Sequence, residues 1–273
     1  MDASNIARAQ PNVREAGTGP GVVCLHSNAA SAAQWGGLMV LLAPRYRVLA
    51  PELWGAGDSP AWRERRPRRL DDEVNLIEPV LDHAGPGAVL VGHSYGAAVA
   101  LRAALRMPSR IRALALYEPT LFSLLDQESA APNEADGIRL AAAAAAQAMD
   151  RGDLEAAARG FIDYWTGAGS FDRMPAARRA PIARSMVDVR HWAHALFSDD
   201  ATAARFAALR IPVLYMTGSD SPASARGVAR ILVSALPGVT ARVFPGLGHM
   251  GPLADPSAVN GAIERFLHQL DAR

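Results

Sequence analysis

The chain has 273 residues, half of them apolar, and a formal net charge of +1. A chain this long and this apolar buries one large core, with or without a smaller inserted domain, and is not a disordered segment. The near-neutral balance argues against a nucleic-acid partner, and no apolar run is long enough to span a bilayer.

Residues 1–10 lack the apolar stretch of a signal peptide, so a soluble, cytoplasmic protein is expected. Short apolar runs at 22–25, 46–50, 88–91, 114–117, 213–216 and 240–244 read as strands. Several are apolar throughout, as strands covered on both faces should be. Cys24, the only cysteine, lies in the first of these runs and reads as a packed thiol. Helical spacing appears at 32–42, 71–83, 95–107, 223–236 and 257–270. The basic cluster of Arg63, Arg65, Arg66, Arg68 and Arg69 reads as a solvated loop leading into the second of these helices. Asp71 and Asp72 suit the start of that helix, and Pro108 and Pro237 suit helix stops. The alternation predicts an α/β fold, a mostly parallel twisted sheet with right-handed crossovers and helices on both faces. It breaks over residues 121–205, which carry no strand pattern and much Ala, Arg and aromatic content. The expected division is a core of residues 1–120 and 206–273 with a helical insertion at 121–205.

The segment that carries chemistry is Gly92-His93-Ser94-Tyr95-Gly96, set between an apolar strand and a helix. A serine on a sharp strand-to-helix turn takes a strained backbone, and glycines two before and two after it remove side chains that would clash. The following helix N-terminus favours developing negative charge at the hydroxyl. A hydroxyl needs a base to act as a nucleophile. His249, in Gly246-Leu247-Gly248-His249, follows the final strand, where the glycines let the loop fold back toward the strand ends. His26 and His93 flank the site and read as scaffold. The string from Gly246 to Gly251 matches a dinucleotide fingerprint, but no helix opens there and Pro252 and Pro256 follow. There is no phosphate-binding loop and no His/Cys/carboxylate set with metal-ligand spacing, so no cofactor or metal is expected.

With these residues in place the chain resembles the α/β-hydrolase superfamily across nearly its whole length. The matching points are Leu25-His26-Ser27-Asn28, Gly55-Ala56-Gly57-Asp58-Ser59, the turn at Ser94, and Gly248-His249. The resemblance implies a serine–acid–histidine triad in that chain order and a helical cap where residues 121–205 fall. It also implies an oxyanion hole from the backbone N–H groups of Asn28 and Tyr95. Where the family has His-Gly in the first of these loops, this chain has His26-Ser27.

The acid has two candidates. Asp220 follows the strand at 213–216, the family's commonest position, but stands one residue early, with Ser221 in the usual place. Glu118 ends the strand at 114–117, the register that haloalkane dehalogenases use, and is preferred. Those enzymes have an aspartate nucleophile, whereas Ser94 points to acyl chemistry. Within the insertion, Tyr164, Trp165 and Trp192 are candidate substrate-binding residues. The expected function is hydrolysis of a small hydrophobic ester or similar activated carbonyl through an acyl-enzyme on Ser94. A C–C bond hydrolase, lactonase, acyltransferase or hydrolase-like ligand receptor stays open on the same residues. The expected partner is a small molecule, with no nucleic acid and no membrane, and a homodimer is left open.

Overall fold

The computed structural model describes residues 9–272. Residues 1–8, most of the stretch read above as lacking a signal peptide, lie outside the described residues. The chain runs β1 (Val13–Ala16), β2 (Gly21–Leu25), α1 (Gly36–Leu42), β3 (Arg47–Pro51), α2 (Leu70–Ala84), β4 (Ala88–His93), α3 (Tyr95–Arg106) and β5 (Ile111–Tyr117). Seven helices follow: α4 (Ser123–Glu128), α5 (Asp136–Asp150), α6 (Leu154–Thr166), α7 (Ser170–Arg173), α8 (Ala176–Ser185), α9 (Val189–Phe197) and α10 (Ala203–Phe206). The sheet then resumes with β6 (Val213–Gly218), α11 (Ala223–Ala235), β7 (Val239–Phe244), α12 (Gly251–Ala254) and α13 (Pro256–Asp271).

The strands lie in the order β1-β3-β2-β4-β5-β6-β7, parallel except for β1, which pairs antiparallel with β3. Side chains alternate across this sheet as a period of two requires. Val22, Cys24, Val89 and Val91 face the layer formed with α1 and α13, while Val23, Leu25 and Leu90 face α2, α3 and α11. Both sides are therefore covered, which is why β2 and β4 are apolar runs with no exposed residue. Burial pushes the Cys24 thiol well up, leaving it a small core side chain.

Two local departures from the sequence reading have simple causes. β1 has only four residues, all at least partly exposed, and one pairing partner, so it carries no apolar run to find. The helix expected from residue 32 starts as a 3-10 turn over Ala32–Trp35, capped by the Ser31 side chain, and turns α-helical at Gly36.

The insertion between β5 and β6 packs over the ends of the sheet strands. Its Ala-rich helix α5 turns a stripe of Ile138, Ala142, Ala145 and Ala148 inward, spaced at four, three and three residues. Small side chains on that stripe let α5 lie close against α6. No helix among the described residues is long and apolar enough to cross a membrane.

The basic cluster is not wholly solvated. Arg66 makes a bidentate pair with Asp72 at 2.7 and 2.6 Å, and Asp72 Oδ2 also accepts from Arg69 N, closing the start of α2. Arg68 is fully buried. Its Nε lies 3.2 Å from Glu73 Oε1, its second guanidinium nitrogen lies 3.4 Å from Asp188 Oδ1, and its other terminal nitrogen donates to Trp54 O at 2.9 Å. Asp188 belongs to the insertion, so this buried charge group spans the boundary with the core. Burial pushes the Glu73 and Asp188 carboxyls up, and Arg68 pulls them back. Removing one member of such a group leaves the others buried and uncompensated. Arg68→Met is expected to cost about 3–5 kcal/mol of unfolding free energy in a urea titration. The exposed Arg65→Ala should stay within about 0.5 kcal/mol. A cost below about 1 kcal/mol for Arg68→Met would show that the group does not hold the two parts together.

Candidate active site

β4 ends at His93 and α3 begins at Tyr95, so the whole turn is made by Ser94, at φ 56° and ψ −117°. That left-handed backbone costs a non-glycine residue about 1–3 kcal/mol and is held by its surroundings. Ser94 N donates to Tyr117 O at 2.9 Å, and Ser94 O accepts from Ala97 N and Ala98 N at 3.0 and 3.1 Å. Both flanking glycines are sterically required. A Cβ on Gly92 would stand 2.5 Å from Ala97 Cα, and one on Gly96 would stand 2.3 Å from Leu25 O. Gly96 thus lets the turn sit directly on the end of β2, where the loop to Asn28 begins.

His249 lies in the loop after β7 and is buried. Its Nε2 accepts from Ser94 Oγ at 2.9 Å, and its Nδ1 donates to Glu118 Oε2 at 2.7 Å. Glu118 leaves β5 at φ 45° and is fully buried. Its second oxygen accepts from Thr217 Oγ1 at 2.7 Å, Gly218 N at 2.7 Å and Ser221 Oγ at 2.5 Å. Burial pushes this carboxyl up, but the contacts with His249, Ser221 and Gly218 outweigh it and hold it below the usual range. Asp220 is exposed and is paired with its neighbour Ser219, whose Oγ donates to Asp220 Oδ1 at 2.7 Å. Asp220 therefore lies outside the hydrogen-bonded chain that joins Ser94, His249 and Glu118. Ser221 is turned inward as a donor to Glu118.

The loop carrying His249 is pinned by two side chains from the sheet. His93 Nε2 donates to His249 O at 2.8 Å, and Tyr117 Oη donates to Gly248 O at 2.8 Å. His93 Nδ1 accepts from Gln34 Nε2 at 3.1 Å, so this ring is neutral with one defined tautomer. Burial, together with the nearby His249, pushes the His93 pKa down to about 3. His26 is likewise buried and lowered by burial. Its Nδ1 donates to Ser27 O at 2.8 Å and its Nε2 accepts from Leu53 N at 3.1 Å, which fixes the loop holding Asn28.

Tyr95 is the first residue of α3, so its N–H has no acceptor within the helix. Its side chain points away from Ser94, with Oη donating to Glu73 Oε1 at 3.0 Å. Asn28, Ser94 and His249 line one cavity of about 40 Å³ beneath the insertion. Trp165 and Trp192 line it too, and the Trp165 indole stacks on the His249 ring with centroids 3.8 Å apart and planes 25° from parallel. Tyr164 does not line this cavity. It is the neighbour of Trp165 on a helix, so it points elsewhere, and its hydroxyl meets Ser224 Oγ of α11 at 2.7 Å. Among the described residues no group of three or more His, Cys, Asp or Glu side chains is placed to hold a metal ion. Gln34, Thr120 and Tyr117 carry no motif that marks them as site residues. Only Thr120 carried a usable signal, its place two residues beyond Glu118.

A family model described as the alpha/beta hydrolase fold matches residues 20–256. Among curated proteins, the chain is 39% identical over 79 residues to Lipase LipV of Mycobacterium tuberculosis, covering 29% of each chain. It is 32% identical over 118 residues to 2-(acetamidomethylene)succinate hydrolase of Mesorhizobium japonicum, covering 42% of this chain and 41% of that one. The matches thus span well under half the length of these relatives. Among solved structures, the enol-lactonase from Burkholderia xenovorans LB400 superposes with a TM-score of 0.74 at 20% identity, covering 94% of this chain and 96% of that one. At that identity the likeness is one of fold.

The buried, neutral His93 makes stability pH-dependent. The unfolded chain binds a proton there below about pH 6.5, while the folded chain does not until about pH 3. Stability should therefore fall with falling pH in that window, by about 1.4 kcal/mol per unit from this ring. Denaturant unfolding from pH 7 to 5 is expected to show a shallower loss in His93→Asn. An unchanged slope would mean that other groups carry the dependence.

Proposed function

The chain belongs to the alpha/beta hydrolase fold family, and on that premise we propose that it is a serine hydrolase acting on a small hydrophobic ester or similar activated carbonyl. The observation that carries this reading is the continuous chain Ser94 Oγ–His249–Glu118, at 2.9 and 2.7 Å. Ser94 Oγ attacks the carbonyl carbon while His249 Nε2 takes its proton. Glu118, kept ionised by its own donors, fixes the tautomer of His249 and balances the imidazolium. The N–H groups of Asn28 and Tyr95 receive the oxyanion, a preorganised contribution of several kcal/mol to barrier lowering. His249 then protonates the leaving group, and water releases the acid by the same route.

The substrate class follows from the walls. Phe161, Trp165, Trp192 and Ile138 give the cavity an apolar lining, suited to an aliphatic or aryl acyl group. The name of the mycobacterial relative, a lipase, is in line with ester chemistry. A cavity of about 40 Å³ holds no more than a few waters. The insertion, residues 121–205, supplies Phe161, Trp165 and Trp192 to its walls and so acts as the cap that sets which acyl group fits.

A fluorophosphonate probe is expected to label the protein and to fail on Ser94→Ala; labelling that persists in that variant would exclude Ser94 as the nucleophile. Ser94→Ala and His249→Ala should each abolish hydrolysis of short p-nitrophenyl esters without unfolding the chain. Glu118→Gln should lower kcat by about 10³–10⁴-fold, because the amide cannot hold the imidazolium. Asp220→Asn should leave kcat within about twofold. The reverse ranking of the two acids would overturn the assignment of Glu118.

A further inference from the structure

Five hydrogen-bonding side chains other than indoles line the cavity: Ser27, Asn28, Ser94, Thr120 and His249. Three of them are satisfied within the protein. Ser27 Oγ donates to Gln34 Oε1 at 3.0 Å, and Ser94 and His249 bond each other. The other two are not. Thr120 Oγ1 and Asn28 Oδ1 are buried atoms that make no hydrogen bond within the protein, and Thr120 as a whole is 1% exposed. Buried polar atoms are nearly always paired, and these two belong to residues that line the same cavity as Ser94, where an entering group can pair them.

We propose that Thr120 and Asn28 form a polar subsite next to Ser94 that selects acyl groups carrying a hydroxyl or amide N–H close to the scissile carbonyl. The proposal rests on the hydrolase reading above. Asn28 Oδ1 only accepts, so the ligand must bring a donor. The Thr120 hydroxyl both donates and accepts, so it completes the recognition of a group that has an N–H or O–H and a lone pair. Both residues are fixed by the fold. Thr120 lies two residues past Glu118 on the exit from β5, and Asn28 lies two residues past the anchored His26. A purely hydrocarbon acyl chain would cover both atoms and leave them bare, whereas a hydroxyl or amide pairs them. Sites with buried groups of this kind reject analogues that lack the matching atom far more strongly than apolar pockets reject a change of size.

The test compares near-isosteric ester pairs. Methyl 3-hydroxybutanoate is set against methyl 3-methylbutanoate, and methyl N-acetylglycinate against methyl 4-oxopentanoate, each rate divided by its alkaline hydrolysis rate. In the wild type, kcat/KM should favour the donor-bearing member of at least one pair by at least about tenfold. The pair that shows it separates the hydroxyl from the amide source. Thr120→Val should bring that ratio below about threefold, and Thr120→Ser should restore it. A wild-type ratio near one in both pairs, or a full ratio kept in Thr120→Val, would overturn the subsite. If no ester is turned over and Ser94 takes no probe, the hydrolase reading has failed. The subsite is then decided by calorimetry on Ser94→Ala protein with 3-hydroxybutanoate, N-acetylglycinate and their two isosteres. A donor preference lost in the added Thr120→Val change supports it, and equal binding of all four acids overturns it.

Discussion

The site is organised around one buried carboxylate. Glu118 is fully enclosed, and a charge in that position is tolerable only with a full set of donors. It finds them on three separate stretches of chain: Thr217 and Gly218 at the end of β6, Ser221 in the loop beyond, and His249 after β7. Each donor contact fixes one stretch relative to β5, so satisfying this one charge also aligns the ends of β5, β6 and β7. His249 is then held from below by His93 and Tyr117 through backbone carbonyls, which leaves its Nε2 facing Ser94.

The same electrostatics favour a serine at position 221. A carboxylate there would be a second buried charge beside Glu118, and two like charges at that separation could not both stay ionised. The serine hydroxyl instead donates to Glu118 and helps keep it charged. Asp220, one position earlier, is left to solvent and to Ser219.

The insertion is tied to the core by contacts of opposite character. Arg68 joins Glu73 of α2 to Asp188 of the insertion in a buried charge group, and Trp165 lies flat on His249. Tyr95 links this charge group to the turn at Ser94, with its N–H at the start of α3 and its hydroxyl on Glu73. The stacked indole also shields the imidazole from water, which strengthens its contacts with Ser94 and Glu118.

The amino-acid sequence by itself determined the parallel α/β sheet, and it marked the turn at Ser94, the break in alternation after β5 and the glycine-rich loop that carries His249. All of these are written in local patterns: continuous apolar strands, glycines two residues either side of a serine, and a break in alternation. It left the acid between Glu118 and Asp220, because two residues at strand ends separated by about a hundred positions differ only in where the folded chain points them. Tertiary structure decided which of the two meets His249, turning Glu118 inward and Asp220 outward. It also buried Arg68 within a cluster that reads locally as solvated, because its partners Glu73 and Asp188 come from two different parts of the fold. Adjacent residues on α6 were separated in the same way. Trp165 faces the site and Tyr164 faces α11, since successive side chains on a helix point about 100° apart.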